Sequence, residues 1–360
     1  MTTNSSDLMP GLISHDEALK LSVEQKLAYF RAVRLLHPRI NEVLHDLETM
    51  ALPGSGTDIA LLIGPTGVGK STVVDGLRKR VITNHLQAIE EDPSFIPVVV
   101  MEAPSSGERM FSWRMFYLRL GEALQEPLMG RKQETTLSDG RTTVRNVASG
   151  NTVTAMRVAI ENVLKFRRTA LVVVDEAVHL LRNLHGNSLA NYMDALKSLS
   201  NICGVTLTLV GSYDLYQLME LSGQVARRSA VVHFRRYLTG VEADEQAFRI
   251  TLEKLQRCIP LENQPDLMPY ADDLQAGSVG CIGILKDILA RALAHALQNK
   301  GVWSESLLEK AMLSQSQMES ILEETVTGER LIQKATFGSG TFKSMGLAAK
   351  EVECRIGATT

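Results

Sequence analysis

The 360-residue sequence has few aromatics, at 5%, and a net charge of only -3. The small charge excludes a polycation, so any nucleic-acid surface must be a local patch. No stretch approaches the roughly 18 uninterrupted apolar residues that a membrane-spanning helix needs. The four cysteines, Cys203, Cys258, Cys281 and Cys354, form no C-x-x-C pair and no other metal-like spacing. Reduced, mostly buried thiols in a reducing compartment are the expectation. The opening MTTNSSDLMPGLIS has neither a basic n-region nor an apolar h-region, so we expect a cytoplasmic protein without a membrane partner. No internal repeat is visible.

Hydrophobic residues make up 44% of the chain, enough for one large domain or two ordinary ones. Ser14-x-x-Glu17 and Ser22-x-x-Gln25 fit capping boxes, and helical spacing then runs to His37-Pro38. A further helix is expected from about Arg39 to Met50. From residue 59 apolar runs of strand type alternate with helical segments: IALLI (59–63), IPVVVM (96–101), ALVVVD (170–175), VTLTLV (205–210) and VVHF (231–234). That alternation predicts a parallel sheet covered on both faces. The polar stretch 127–151 reads as a loop or hairpin insertion. Beyond about 240 only helical periodicity remains. The predicted organisation is an N-terminal helical extension (1–50), an α/β core (51–240), a small α-helical domain (241–325) and a flexible tail (326–360).

The segment GPTGVGKS (64–71) matches G-x-x-x-x-G-K-S/T in full, with a strand before it and a helix after it. Glycines there let backbone N–H groups curl around phosphate oxygens, and the helix N-terminus adds partial positive charge. Gly64, Pro65, Thr66, Gly67, Val68, Gly69, Lys70, Ser71 and Thr72 are therefore candidates for binding ATP. Lys70 is expected to reach the β- and γ-phosphates and Ser71 to ligate Mg2+. LVVVDE (171–176) ends a second strand on two carboxylates. Beside a phosphate loop this is a Walker B motif. Asp175 then holds the Mg2+ ion and Glu176 polarises the attacking water as general base.

Two later features belong to the same chemistry. Ser212 follows VTLTLVG and could cap the helix beginning at Tyr213. VARRSAVVHFRRY (225–237) carries four arginines. One given to a neighbouring subunit's γ-phosphate would stabilise transition-state charge, with Arg228 the first choice and Arg227 the second.

The ordered series DEAVHLL, LKSLSN (196–201), LVGSYDL (209–215), QVARRS and HFRRY, with His37-Pro38-Arg39 ahead of the phosphate loop, resembles the TniB/TnsC group of AAA+ ATPases. These regulate DNA transposition in bacterial transposons, including CRISPR-associated ones. The resemblance spans about residues 30–300. It implies a P-loop AAA+ parallel-sheet ATPase core with a small C-terminal α-helical lid domain. It implies a homo-oligomer, ring or helical filament, assembled with ATP on double-stranded DNA. It also implies a target-selector protein and a transposase as partners. By position, Gly64, Gly69, Lys70 and Ser71 match the family's ATP loop, Asp175 and Glu176 its Walker B, Ser212 its sensor and Arg228 its arginine finger. One departure stands out. GSVGCIGILKDIL (277–289) has no arginine where many AAA+ lids carry one, and Lys286 falls off that spot. A slow switch, not a fast motor, is the expectation.

Segment 101–168 holds eleven Lys/Arg against seven Asp/Glu, a local excess of four in a chain whose total is negative. Such an excess suits phosphate contacts. The resemblance places DNA contacts just after the second strand, at Arg109 and Arg114, with Arg131, Lys132 and Arg145 behind them. A different class keeps the ATP site and dispenses with DNA: an ATP-gated protein-interaction switch of the signalling or adaptor kind. His179 reads as a structural residue one turn after Glu176.

Overall fold

The computed structural model describes residues 14–52, 54–104, 111–126, 133–138, 141–146, 153–181, 187–220 and 227–332. Both expected capping boxes form. Ser14 and Ser22 accept the amides of Glu17 and Gln25, whose side chains reach back. They open α1 (His15–Leu19) and α2 (Val23–Ala32). Helix α2 stops well short of His37-Pro38, because Val33 and Leu35 turn into the core. Pro38 starts α3 (Pro38–Met50) at the first helical position, where a missing N–H costs nothing.

The core follows as β1 (Ile59–Ile63), α4 (Lys70–Asn84), α5 (Leu86–Glu91), β2 (Val98–Glu102), α6 (Trp113–Ala123), β3 (Gln133–Ser138), β4 (Arg141–Asn146), α7 (Val153–Phe166), β5 (Leu171–Asp175), α8 (Asn187–Cys203), β6 (Thr206–Gly211), α9 (Gln217–Glu220) and β7 (Ser229–His233). Five strands make one parallel sheet in the order β2-β5-β6-β1-β7. All five residues of β1 are buried, because both faces are covered. Their side chains alternate. Ala60 and Leu62 enter one core with Val73, Phe234 and Leu285, while Ile59, Leu61 and Ile63 enter the other with Phe116, Leu120 and Leu196. The insertion is a hairpin: β3 and β4 pair antiparallel from Gln133↔Asn146 to Ser138↔Arg141.

The remaining described chain is helical: α10 (Glu242–Arg257), α11 (Ala271–Gly277), α12 (Ile282–Gln298), α13 (Glu305–Ala311) and α14 (Gln315–Leu331). Helix α14 opens on a capping box, Ser314 with Gln317, and continues through residue 326, where composition predicts a flexible tail to begin. Residues beyond 332 lie outside the described ones. The architecture is the AAA+ P-loop ATPase fold with a helical C-terminal region. Among the described residues no helix is long and apolar enough to cross a membrane.

Candidate functional site

Parallel strands deliver their carboxyl ends to one edge of the sheet, and that edge gathers the candidate residues. Gly64 follows β1, Asp175 ends β5, Ser212 follows β6 and Phe234 follows β7. Strand β6 lies between β1 and β5, so Ser212 sits between the phosphate loop and the two carboxylates.

The loop is a wrapped backbone. Gly67 (φ +75°) and Gly69 (φ +112°) take left-handed values that side chains resist, and Gly69 caps α4. Lys70, the first residue of α4, donates through Nζ to the carbonyls of Gly64 and Pro65, both at 2.9 Å. Burial lowers its pKa, opposed by the charges of Glu176 and Asp175. Val68 is buried, Thr66 and Ser71 are exposed, and the Thr72 amide donates to the Gly69 carbonyl at 2.9 Å.

Ser71 and Asp175 come together across 104 positions of sequence. Ser71 Oγ donates to Asp175 Oδ2 at 3.1 Å. A hydroxyl and a carboxylate oxygen at that separation, next to the Lys70 ammonium, are the hard oxygen donors that Mg2+ takes alongside phosphate and water. The donor set therefore fits a Mg–nucleotide. The other carboxylate oxygen of Asp175 accepts the Glu176 amide at 2.9 Å. Glu176 is exposed and left-handed (φ +51°, ψ +35°), a strained conformation for a residue with a side chain. His179 donates its amide to the Glu176 carbonyl at 3.0 Å. Ser212 stands at the capping position before Tyr213, yet its side chain makes no capping bond and donates to Asp214 Oδ2 at 3.3 Å.

The C-terminal helical region meets the loop backbone to backbone. The Gly283 amide, at the start of α12, donates to the Gly67 carbonyl at 2.7 Å. A Cβ on Gly283 would stand 2.3 Å from that oxygen, so this contact requires glycine. Lys286 points away from the phosphate loop. Its Nζ donates to the carbonyls of Arg31 and Val33, closing the C-terminus of α2. Burial and the nearby Arg34 charge lower its pKa to about 8.

Arg228 lies at the opposite end of the sheet. Its carbonyl accepts the Asp58 amide at 2.9 Å, just before β1, and its guanidinium reaches Asp58 Oδ2 and Asn201 Oδ1, each at 3.2 Å. A five-residue strand spans about 16 Å, so Arg228 sits at the far end of the sheet from its own chain's loop. Arg227 beside it is exposed. Arg114 is exposed on α6. The backbone of Arg145 pairs opposite Glu134 in the hairpin. Arg109, Arg131 and Lys132 lie outside the described residues.

Spacing does not disclose the brace behind the site. His37 is 4% exposed, and its Nδ1 lies 2.9 Å from the Tyr237 hydroxyl. Burial and the Arg39 charge lower the His37 pKa to about 4. Arg39 pairs with Asp244, donates to the Arg236 carbonyl and lies over the Tyr237 ring. His37-Pro38-Arg39 therefore ties the N-terminal helices to the joint between the sheet and the C-terminal helices. Arg236 itself pairs with Glu329. The HFRRY cluster marks it in sequence, but its partner lies 93 residues away.

Residues 54–219, a little under half the chain, match the AAA domain model. Solved structures share the fold. The ORC1 protein of Aeropyrum pernix in complex with DNA aligns at a TM-score of 0.52 and 19% identity, over 77% of this chain and 65% of that one. The ORC2 protein of the same organism gives 0.48 and 16%, over 77% and 66%. Cdc6p of Pyrobaculum aerophilum gives 0.48 and 13%, over 92% and 93%. This chain thus spans about two thirds of the length of the two ORC proteins. No curated protein sequence matches it.

Proposed function

We propose that this chain is a Mg-dependent ATPase whose slow hydrolysis switches an oligomer assembled on double-stranded DNA. The observation that carries the enzymatic part is the meeting of Lys70, Ser71, Asp175 and Glu176 at one sheet edge, with Ser71 Oγ 3.1 Å from Asp175 Oδ2. Bound Mg2+ would neutralise charge between the β- and γ-phosphates. Lys70 binds phosphate oxygens by leaving the carbonyls of Gly64 and Pro65. Ser71 and Asp175 hold the ion. Glu176 takes the proton of the attacking water, and Ser212 orients that water or the γ-phosphate.

The assembly part rests on two supports. The motif series from DEAVHLL to HFRRY resembles TniB/TnsC-type transposition regulators, which connect a target-selector protein to a transposase. Arg228 lies far from its own phosphate loop, as suits an arginine supplied to a neighbour's γ-phosphate. Arg114, with Arg109, Arg131, Lys132 and Arg145, is the set we assign to DNA phosphates. The ORC1 protein of similar fold was solved with DNA. The test is size-exclusion chromatography or electron microscopy with duplex DNA and a non-hydrolysable ATP analogue. Oligomers should form with wild type, fail with Lys70→Ala and weaken steeply with salt. No assembly on duplex with any nucleotide sinks this reading.

One observation favours the alternative, an ATP-gated protein-interaction switch without DNA. Several arginines of the basic segment serve the fold. Arg157 pairs with Glu161 and reaches Ser198, Arg167 donates to the Ser94 carbonyl, and Arg168 pairs with Asp92 over the Phe95 ring. Salt-insensitive behaviour and no effect of Arg114→Ala would select it.

A further inference from the structure

Helix α14 leaves the lid and crosses to the sheet edge that carries the site. Its approach is close enough to exclude a side chain. A Cβ on Gly328 would lie 2.0 Å from Cγ of Tyr213, so the Tyr213 ring rests on the helix backbone. The Tyr213 hydroxyl meets His233 Nε2 at 3.1 Å, which joins this contact to the end of β7. The next residue, Glu329, takes Arg236 in a bidentate pair, Nε to Oε1 at 3.0 Å and Nη2 to Oε2 at 3.2 Å. Both side chains are largely buried, at 15% and 23% exposure. Arg236 follows Phe234, whose amide donates to the Ile63 carbonyl at 2.8 Å, directly before the phosphate loop. Helix α14 therefore grips the segments that follow β6 and β7.

Charge decides what this grip does. Beside that contact, a cleft of about 360 Å³ lies between α14 and Tyr213–Gln217, and Asp214, Glu323 and Glu324 line it. The chain just before Arg236 lies against the phosphate loop, where a Cβ on Gly64 would stand 2.5 Å from the Phe234 carbonyl. The Glu324 charge works to raise the Lys70 pKa, and those of Arg236 and Lys70 work to lower that of buried Cys281. A triphosphate in the loop would repel Glu324 and Glu329 and attract Arg236. Carboxylate and phosphate accept a guanidinium in the same bidentate geometry, so the two compete on similar terms. The start of α12, where Gly283 meets the loop, carries no arginine; the first in that helix is Arg291.

We propose that Arg236 is a second phosphate-binding cation of the site, and that α14 is a latch withholding it through Glu329. Nucleotide and Glu329 compete for one guanidinium, so bound triphosphate loosens α14. This rests on the ATP-binding reading above.

Titration of the full chain with a fluorescent ATP analogue tests it. Glu329→Gln removes the competing charge, and Gly328→Ala pushes the helix off Tyr213 without touching the loop. Each should tighten binding about tenfold, the gain expected when a state populated near one tenth becomes dominant. Both gains should vanish in an Arg236→Ala background. Arg236→Ala should weaken triphosphate binding more than diphosphate binding, with partial rescue by Arg236→Lys. Amide exchange over 315–331 should rise when ATP is added. Unchanged affinity in both release variants of a chain that does bind nucleotide overturns the latch alone, as does a gain that survives Arg236→Ala. Failure of wild type and Gly328→Ala alike to bind any nucleotide overturns the ATP-binding reading and the latch together.

Discussion

A glutamate at φ +51° is a strained way to leave a strand. Backbone strain of this kind, about 1 kcal/mol or more, persists where surrounding structure enforces it. Here the Glu176 amide is held by Asp175, and its carbonyl accepts His179. Glu176→Gly should therefore raise unfolding free energy by about 1 kcal/mol while removing the proposed base, a split readable by denaturant melts beside ATPase assays. Glu176→Gln should keep nucleotide binding, lower hydrolysis by about a hundredfold or more and trap the assembled form. His37 gives a pH dependence. Its folded pKa, about 4, lies below the ordinary 6.5. As pH falls the unfolded chain takes the proton first, so stability is complete above 6.5 and drains between 6.5 and 4. By pH 5 the loss should be about 2 kcal/mol. His37→Asn, which keeps an acceptor for Tyr237, should flatten that slope in melts at pH 7 and pH 5.

At the scale of elements, the contact between α12 and the phosphate loop is the sensitive joint. Gly283→Ala places a methyl 2.3 Å from the Gly67 carbonyl, so loop or helix must move. Nucleotide affinity should fall with the global fold retained, checked by titration alongside circular dichroism. Lys286 acts elsewhere, on the last carbonyls of α2. Lys286→Ala should leave nucleotide affinity close to wild type, read in the same titration.

For the whole molecule, Arg228 separates one-chain from many-chain catalysis. Its pair with Asp58 is half-exposed, so Arg228→Ala should cost under about 1 kcal/mol of stability. Hydrolysis should nevertheless fall. Mixing Arg228→Ala with Lys70→Ala should restore part of it, because one chain keeps an intact loop and the other keeps the arginine. Hydrolysis by Arg228→Ala alone at the wild-type rate would remove the trans role.

Much of this was legible before folding. The strand-type runs ending at Ile63 and Asp175, the loop 64–71 and the capping boxes at Ser14 and Ser22 are local signals with local causes, and each formed where its residues stand. That the sheet is parallel and covered on both faces was legible from the strand–helix alternation, whereas the order β2-β5-β6-β1-β7 comes from the tertiary structure. Helix α5 was not, because six residues with no buried side chain carry no periodic signal. The Arg236–Glu329 pair, the His37–Tyr237 brace and the seat of Gly328 on Tyr213 were hidden for another reason. Their partners lie 93 to 200 positions apart, or more than a hundred in the case of Gly328. By itself the sequence determined which side chains are candidates for binding phosphate and metal, because those motifs are written in neighbouring residues. Only the tertiary structure decided which charges face one another across the site, because that depends on where distant helices come to rest.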